Sequence, residues 1–270
     1  MAQEGYKILR FTSAHNCFPD TSRDRGHVDG DGKNLSREGH YDDSSVLLVV
    51  PSGLRAGKSV ELVVWFHGWH NNIDTALQFY GLARQFAASG RNGVLVLPEA
   101  AKNAADSYGG KMKQEGMFRL LIADVLDKLK GSKVVPADAI VGRVVLAGHS
   151  GAYSVIADIL ENGRQPVNEV FLFDALYGRL NTFARWAEVG SHHFVHWFTS
   201  TGYGPDKMSD TMMLRLRQDK IPYGLAEEES VDGGMIRSNK ILFVHSPREH
   251  NVIINNPDDF ALLLRNRFMP

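Results

Sequence analysis

Short apolar runs alternate with longer amphipathic stretches along most of the chain, and this alternation is its strongest structural signal. Val46-Leu-Leu-Val-Val50 and Val60-Glu-Leu-Val-Val-Trp-Phe66 predict strands, joined by a turn through Pro51 and Gly57. Asp74 is placed to cap a helix running through Leu77, Tyr80, Leu82 and Phe86 to Gly90. Gly93 to Leu97 predicts a strand stopped at Pro98. Met117, Leu120, Leu121, Val125 and Leu129 then recur every three or four positions, marking a helix that ends at Gly131. Arg143 to Ala147, Glu169 to Phe173, His193 to Thr199 and Lys240 to His245 predict further strands. Helices are predicted over Tyr153 to Leu160, near Leu180 to Ala187, and over Asp258 to Arg265.

The strands are continuous Val/Leu/Ile runs rather than alternating ones, which indicates burial on both faces, as in a parallel sheet. Regular strand–helix alternation gives the same architecture: a doubly wound, mostly parallel sheet with helices on both faces. The pattern fits one domain over residues 1–270. Residues 1–45 read as an irregular N-terminal arm, rich in Asp, Gly, Ser, Arg and His from about residue 12 onward. Residues 200–239 break the alternation with Gly202, Gly204, Pro205, Gly224, Gly233, Gly234 and an acidic run at Glu227, and read as an insertion near the site.

At 270 residues the chain can bury a substantial core. A net charge of -1 and a pI near 6.8 give neither sign a dominant field, which argues against nucleic acid as the main partner. No apolar run approaches the length of a membrane span, so integral membrane association is not expected. Cys17 is the only cysteine, which excludes an intramolecular disulfide. The N-terminus lacks a basic segment followed by an apolar one, so the sequence as given shows no signal peptide. A cytoplasmic protein, or an exported one with its signal removed, fits equally.

The chemistry centres on Gly148-His-Ser-Gly-Ala152, between an apolar strand and an amphipathic helix. A serine hydroxyl is a poor nucleophile unless a base takes its proton and donors stabilise the oxyanion it creates. A sharp strand-to-helix turn serves both needs, raising Ser150 above the sheet with the helix amides beside it. Ala152 stands where glycine is usual and is small enough for the turn. A helix-capping role for Ser150 is the structural alternative. Trp65-Phe-His-Gly-Trp-His-Asn-Asn72 follows a strand two strand–helix units earlier.

With these two segments, residues 45–270 resemble the α/β-hydrolase superfamily of esterases and lipases. The resemblance implies that the loop after Phe66 forms an oxyanion hole, with the backbone amides of Trp69 and Gly151 as donors and His67 shaping the loop. It also implies the chain order nucleophile, acid, histidine, and therefore a C-terminal base. His250 lies in the loop after the last predicted strand, where the family places its base, whereas His245 lies within the strand end. Asp174 ends an apolar strand and is the favoured acid. Asp206 and Asp210, after the next strand, are the alternatives. Its role would be to orient the histidine and stabilise its imidazolium. His67, Trp69, His149, Tyr153 and Tyr177 are the candidates for contact with substrate.

The expected activity is cleavage of a small-molecule or polymer carboxylic ester through a serine-bound acyl-enzyme, without a cofactor. An amidase or peptidase with the same residues, or a non-catalytic binding protein on the same fold, are the rival readings. No metal is expected. His27 to Asn34 carries Asp29 and Asp31 but lacks the further ligands of a calcium loop, and reads as a turn. His192 and His196 would stand about 13 Å apart on one strand face, too far for one zinc ion.

Overall fold

The computed structural model describes residues 5–200, 204–255 and 257–268. Its centre is a nine-stranded sheet in the order β1-β4-β6-β5-β7-β8-β9-β11-β10. The strands are β1 (Tyr6–Thr12), β4 (Ser45–Pro51), β5 (Ser59–Phe66), β6 (Gly93–Pro98), β7 (Ile140–His149), β8 (Glu169–Phe173), β9 (His193–Thr199), β10 (Gly224–Glu227) and β11 (Ile241–Ser246). Seven of them, from β6 to β10, run parallel; β1 and β4 are antiparallel at one edge. A separate two-stranded ribbon pairs β2 (His27–Val28) with β3 (Asn34–Leu35). Asp29 closes its turn by accepting the amides of Asp31 and Lys33.

Alternate residues of each strand enter opposite layers. On one face Leu62, Val64 and Phe66 pack with α3 (Met117–Gly131), α4 (Tyr153–Asn162), α5 (Leu180–Glu188) and α6 (Pro205–Gln218). On the other, Val63 and Trp65 pack with α1 (Ile73–Phe79), α2 (Leu82–Ser89), α7 (Gly233–Ser238) and α8 (Asp259–Arg265). The central strands are buried on both sides, and this is why their sequences read as unbroken apolar runs.

Three expectations need correction. The arm over residues 1–45 is not irregular throughout: β1 completes the sheet edge, paired with β4 from Tyr6↔Pro51 to Thr12↔Ser45. Its partly exposed, charge-interrupted sequence hides this, because an edge strand need not be apolar on both faces. The stretch over residues 200–239 continues the alternation, supplying α6, β10 and α7, with β10 pairing in parallel with β11. Residues 1–4 and 201–203 of these two stretches, Gly202 included, lie outside the described residues. The single helix expected from Asp74 to Gly90 is two, α1 and α2. They are separated at Gly81, which takes a left-handed conformation, and Asn72 rather than Asp74 caps the first.

Candidate functional site

Parallel strands that end side by side deliver consecutive loops to one rim. Phe66 of β5 is level with Gly148 of β7, and His149 of β7 is level with Phe173 of β8. The next residues, His67, Ser150 and Asp174, therefore reach the carboxyl edge of the sheet together. Ser150 and Asp174 both adopt positive φ, 55° and 44°, a strained backbone for residues with a Cβ. Sheet and helix hold these conformations, since each residue is locked between a buried strand and the segment after it.

The turn at Ser150 is fitted closely to its neighbours. A Cβ on Gly148 would come within 2.6 Å of Ala152 Cβ, and one on Gly68 within 2.7 Å of Ser150 Cβ and 2.8 Å of the His149 carbonyl oxygen. The loop after β5 thus rests directly against the turn, and the same Cβ on Gly68 would also lie 3.3 Å from the Gly151 amide nitrogen. Gly68→Ala is expected to push that loop outward and reduce kcat far more than stability. Steady-state hydrolysis and a thermal melt on the same sample check this.

His67 holds the loop from beneath. It is buried, with Nδ1 2.8 Å from the Gly68 carbonyl oxygen and Nε2 2.7 Å from Glu99 Oε1. His67 is not among the described residues that line the cleft; its ring bonds to the loop that follows it and to Glu99 instead. Trp69, half exposed, donates its indole N–H to Ser107 Oγ at 2.7 Å.

His250 follows β11 in a short helical turn, and its Nδ1–H donates to Asp174 Oδ2 at 2.6 Å. Asp174 is fully buried and also accepts the Thr199 amide (2.9 Å) and hydroxyl (2.8 Å). Burial alone would raise its carboxyl, but the hydrogen bonds from His250 and Thr199 outweigh it and hold the group below the usual carboxylate range. His245 is engaged elsewhere, between Ser200 and Glu227. Asp206 accepts the Gly204 amide in the first turn of α6, and Asp210 is exposed on the same helix. Of the candidate acids, Asp174 is the one that meets His250.

His149 occupies the cleft wall in a supporting role. Tyr80 donates its hydroxyl to His149 Nδ1 at 3.0 Å, and His149 Nε2–H donates to the His250 carbonyl oxygen at 2.8 Å. Burial, with the His250 ring beside it, drives His149 down to about 3, so it is neutral and keeps this tautomer. The ring centroids of His149 and His250 are 4.4 Å apart. Sequence reasoning gave His149 only a substrate contact and missed this anchoring.

Arg248 is a second support that the sequence did not reveal. Its guanidinium donates to the carbonyl oxygens of Val252 (3.0 Å), Ile253 (2.8 Å) and Asn255 (2.8 Å), folding the chain around His250. It also pairs with Glu228 and Asp259. Glu228 in turn accepts from Trp197 Nε1 at 2.8 Å. Asp259 is buried, and burial with Glu228 beside it lifts its carboxyl up to about 8 despite Arg248. The folded state therefore favours protonated Asp259 relative to the unfolded chain. That stabilisation is complete below the ordinary carboxylate range and is lost as pH rises through about 8. Asp259→Asn is expected to flatten the fall in melting temperature between pH 5 and 9. A pH series of thermal melts on both proteins measures it.

A cleft of about 660 Å3 lies over these residues, lined by Ser150, His250 and a largely aromatic wall that includes Trp69, Phe79, Tyr153 and Tyr177. Tyr153 and Tyr177 pack at 6.0 Å between centroids. Burial, with Asp174 nearby, pushes the Tyr177 phenol up to about 12. The lining contains no Asp, Glu, Lys or Arg among the described residues. No cluster of three or more His, Cys, Asp or Glu suited to a metal occurs among them either. No described helix is long and apolar enough to cross a membrane.

No family model matches the chain, and no curated protein matches it. Solved structures do. A ferulic acid esterase superposes with a TM-score of 0.57 at 9% identity, covering 97% of this chain and 100% of the other. The S-formylglutathione hydrolase of Agrobacterium tumefaciens gives 0.53 at 13% identity over 100% and 98% of the two chains. The enterobactin and salmochelin hydrolase IroE gives 0.54 at 14% identity over 98% of each. At such low identity the likeness establishes the fold.

Proposed function

That fold is the α/β-hydrolase fold, and from it we propose that the protein is a serine hydrolase cleaving carboxylic esters. The carrying observation is the 2.6 Å hydrogen bond from His250 to Asp174 in the cleft that presents Ser150 on its strained turn. Neutral His250, donating from Nδ1, keeps its Nε2 lone pair for the serine proton. Ser150 Oγ attacks the ester carbonyl carbon while His250 takes its proton. The amides of Trp69 and Gly151 receive the oxyanion. Collapse breaks the bond to the leaving alcohol, which His250 protonates, and leaves an acyl-Ser150 ester. Water, deprotonated by His250, then attacks that ester, and the acid is released with Ser150 restored.

The uncharged aromatic cleft supports an uncharged substrate with an aryl or acyl body. Of the neighbours named above, one is an esterase and two are hydrolases by name, which supports hydrolysis, and an ester bond, here. A matched panel of p-nitrophenyl esters and p-nitroanilides tests the reading. Turnover of esters alone supports an esterase, comparable turnover of anilides an amidase, and inertness to both sinks the catalytic proposal.

A further inference from the structure

At the opposite, amino end of the parallel strands, a second cavity of about 490 Å3 opens between the starts of β5 and β7, the chain before β6 and the end of α8. Arg55, Arg91, Arg143, Arg265 and Arg267 all line it. Glu61 is the acidic side chain on its wall among the described residues, and Glu169 lies buried behind it. Both acids are already committed. Glu61 pairs with Arg91 and Arg267, and Glu169 with Arg91, Arg143 and His193. Three guanidinium groups, of Arg91, Arg143 and Arg267, thus share two carboxylates, and Arg55 and Arg265, whose guanidinium donates to the Ala88 carbonyl at 3.3 Å, add further positive charge to the lining.

Such convergence is costly unless something offsets it, because like charges a few ångströms apart repel and the acids present cannot neutralise all five. The arrangement also leaves donors unused. Arg143 Nε is shielded from solvent without a hydrogen-bond partner, while the rest of that side chain is about a third exposed. Arg267 is half exposed. Arg55 is fixed at the rim through its backbone, whose N–H donates to Asn92 Oδ1 at 2.8 Å and whose carbonyl accepts from Asn92 Nδ2 at 3.2 Å. Arg91 anchors the floor, with its guanidinium also bonded to the Leu264 carbonyl at 3.0 Å. Planar guanidinium forks around a concave, polar space suit tetrahedral oxyanions, which accept from two donors of each fork.

We propose that this cavity binds a small phosphate-bearing anion of two or more negative charges, of pyrophosphate size. A single carboxylate would leave most of the excess charge unmatched, and a cavity of about 490 Å3 matches a compact anion rather than an extended strand. The site is separate from the Ser150 cleft, at the other end of the sheet. A ligand there would tie the starts of β5 and β7 to the chain after α8, and binding would therefore raise the melting temperature.

Titration calorimetry with pyrophosphate at fixed ionic strength tests the proposal, repeated with Arg55→Gln, Arg143→Gln and, as a distant control, Arg164→Gln. Saturable binding tighter than about 1 mM is expected for the wild type, with a rise in melting temperature. Arg55→Gln and Arg143→Gln should each weaken it at least about tenfold, and Arg164→Gln should not. Arg55→Gln removes only a rim side chain and keeps the test valid if the Arg143 variant folds poorly. A nucleoside diphosphate binding more tightly than pyrophosphate would support the proposal and assign the phosphate to a nucleotide; equal or weaker binding would support the free anion. Absence of saturable heat, or affinity unchanged in both site variants, would overturn it.

Discussion

Ser150→Ala is expected to lower kcat for a reactive p-nitrophenyl ester by roughly 10⁴ to 10⁶ while leaving the fold intact. Three observations set the size of the effect. The hydroxyl is the only atom removed, so no cavity of consequence forms in the core. The φ of 55° at this position penalises alanine as it does serine, so the strain of the turn is unchanged. The support around it, Gly68 against the turn and His149 bonded to the His250 carbonyl, does not use the hydroxyl. Residual rate would come from binding and from the Trp69 and Gly151 amides acting on bound ester with water. Labelling by a fluorophosphonate probe provides the second readout: wild type should label and Ser150→Ala should not. A folded Ser150→Ala protein with wild-type turnover would refute Ser150 as nucleophile.

The sheet was legible because burial on both faces leaves a direct trace in sequence. The runs Val60 to Phe66, Gly93 to Leu97, Arg143 to Ala147 and Glu169 to Phe173 predict strands, and all four coincide with strands of the structure. Edges left a weaker trace. In β1, Lys7 and Arg10 interrupt the apolar pattern, and β10 is four residues with one buried. Gly81 splits α1 from α2 through a left-handed turn that helical periodicity passes over.

The candidate site divides along the same line. Ser150, Asp174 and His250 could be named because each follows a readable strand, and the structure brings them to one rim. Their supports are non-local and had no sequence signal. Glu99 reaches His67 across 32 residues, Tyr80 reaches His149 across 69, and Arg248 gathers Glu228 and Asp259 from separate elements. Such partners are chosen by the fold, after the strands have set which loops are neighbours.

Asp174→Asn is expected to lower kcat by about 10⁴ with little change in KM, the cost of presenting His250 in the wrong tautomer. In the wild type, both carboxylate oxygens accept: Oδ1 from the Thr199 amide, Oδ2 from the Thr199 hydroxyl and from His250 Nδ1–H. The Thr199 amide can only donate, so asparagine must keep its carbonyl oxygen at the Oδ1 position. Its NH2 group then faces His250. The Thr199 hydroxyl can rotate to accept from that group, and His250 Nδ1 must accept as well. The neutral imidazole is thereby left with its proton on Nε2, where it cannot take one from Ser150. Stability should change little, because size and hydrogen-bond count are preserved and no charge is left buried without a partner. The activity that remains should rise with pH more steeply than in the wild type, as hydroxide substitutes for the missing base. Parallel pH–rate profiles and thermal melts of the two proteins measure both effects. Wild-type kcat in a folded Asp174→Asn protein would remove Asp174 from the mechanism, and a loss confined to KM would make it a determinant of substrate binding instead.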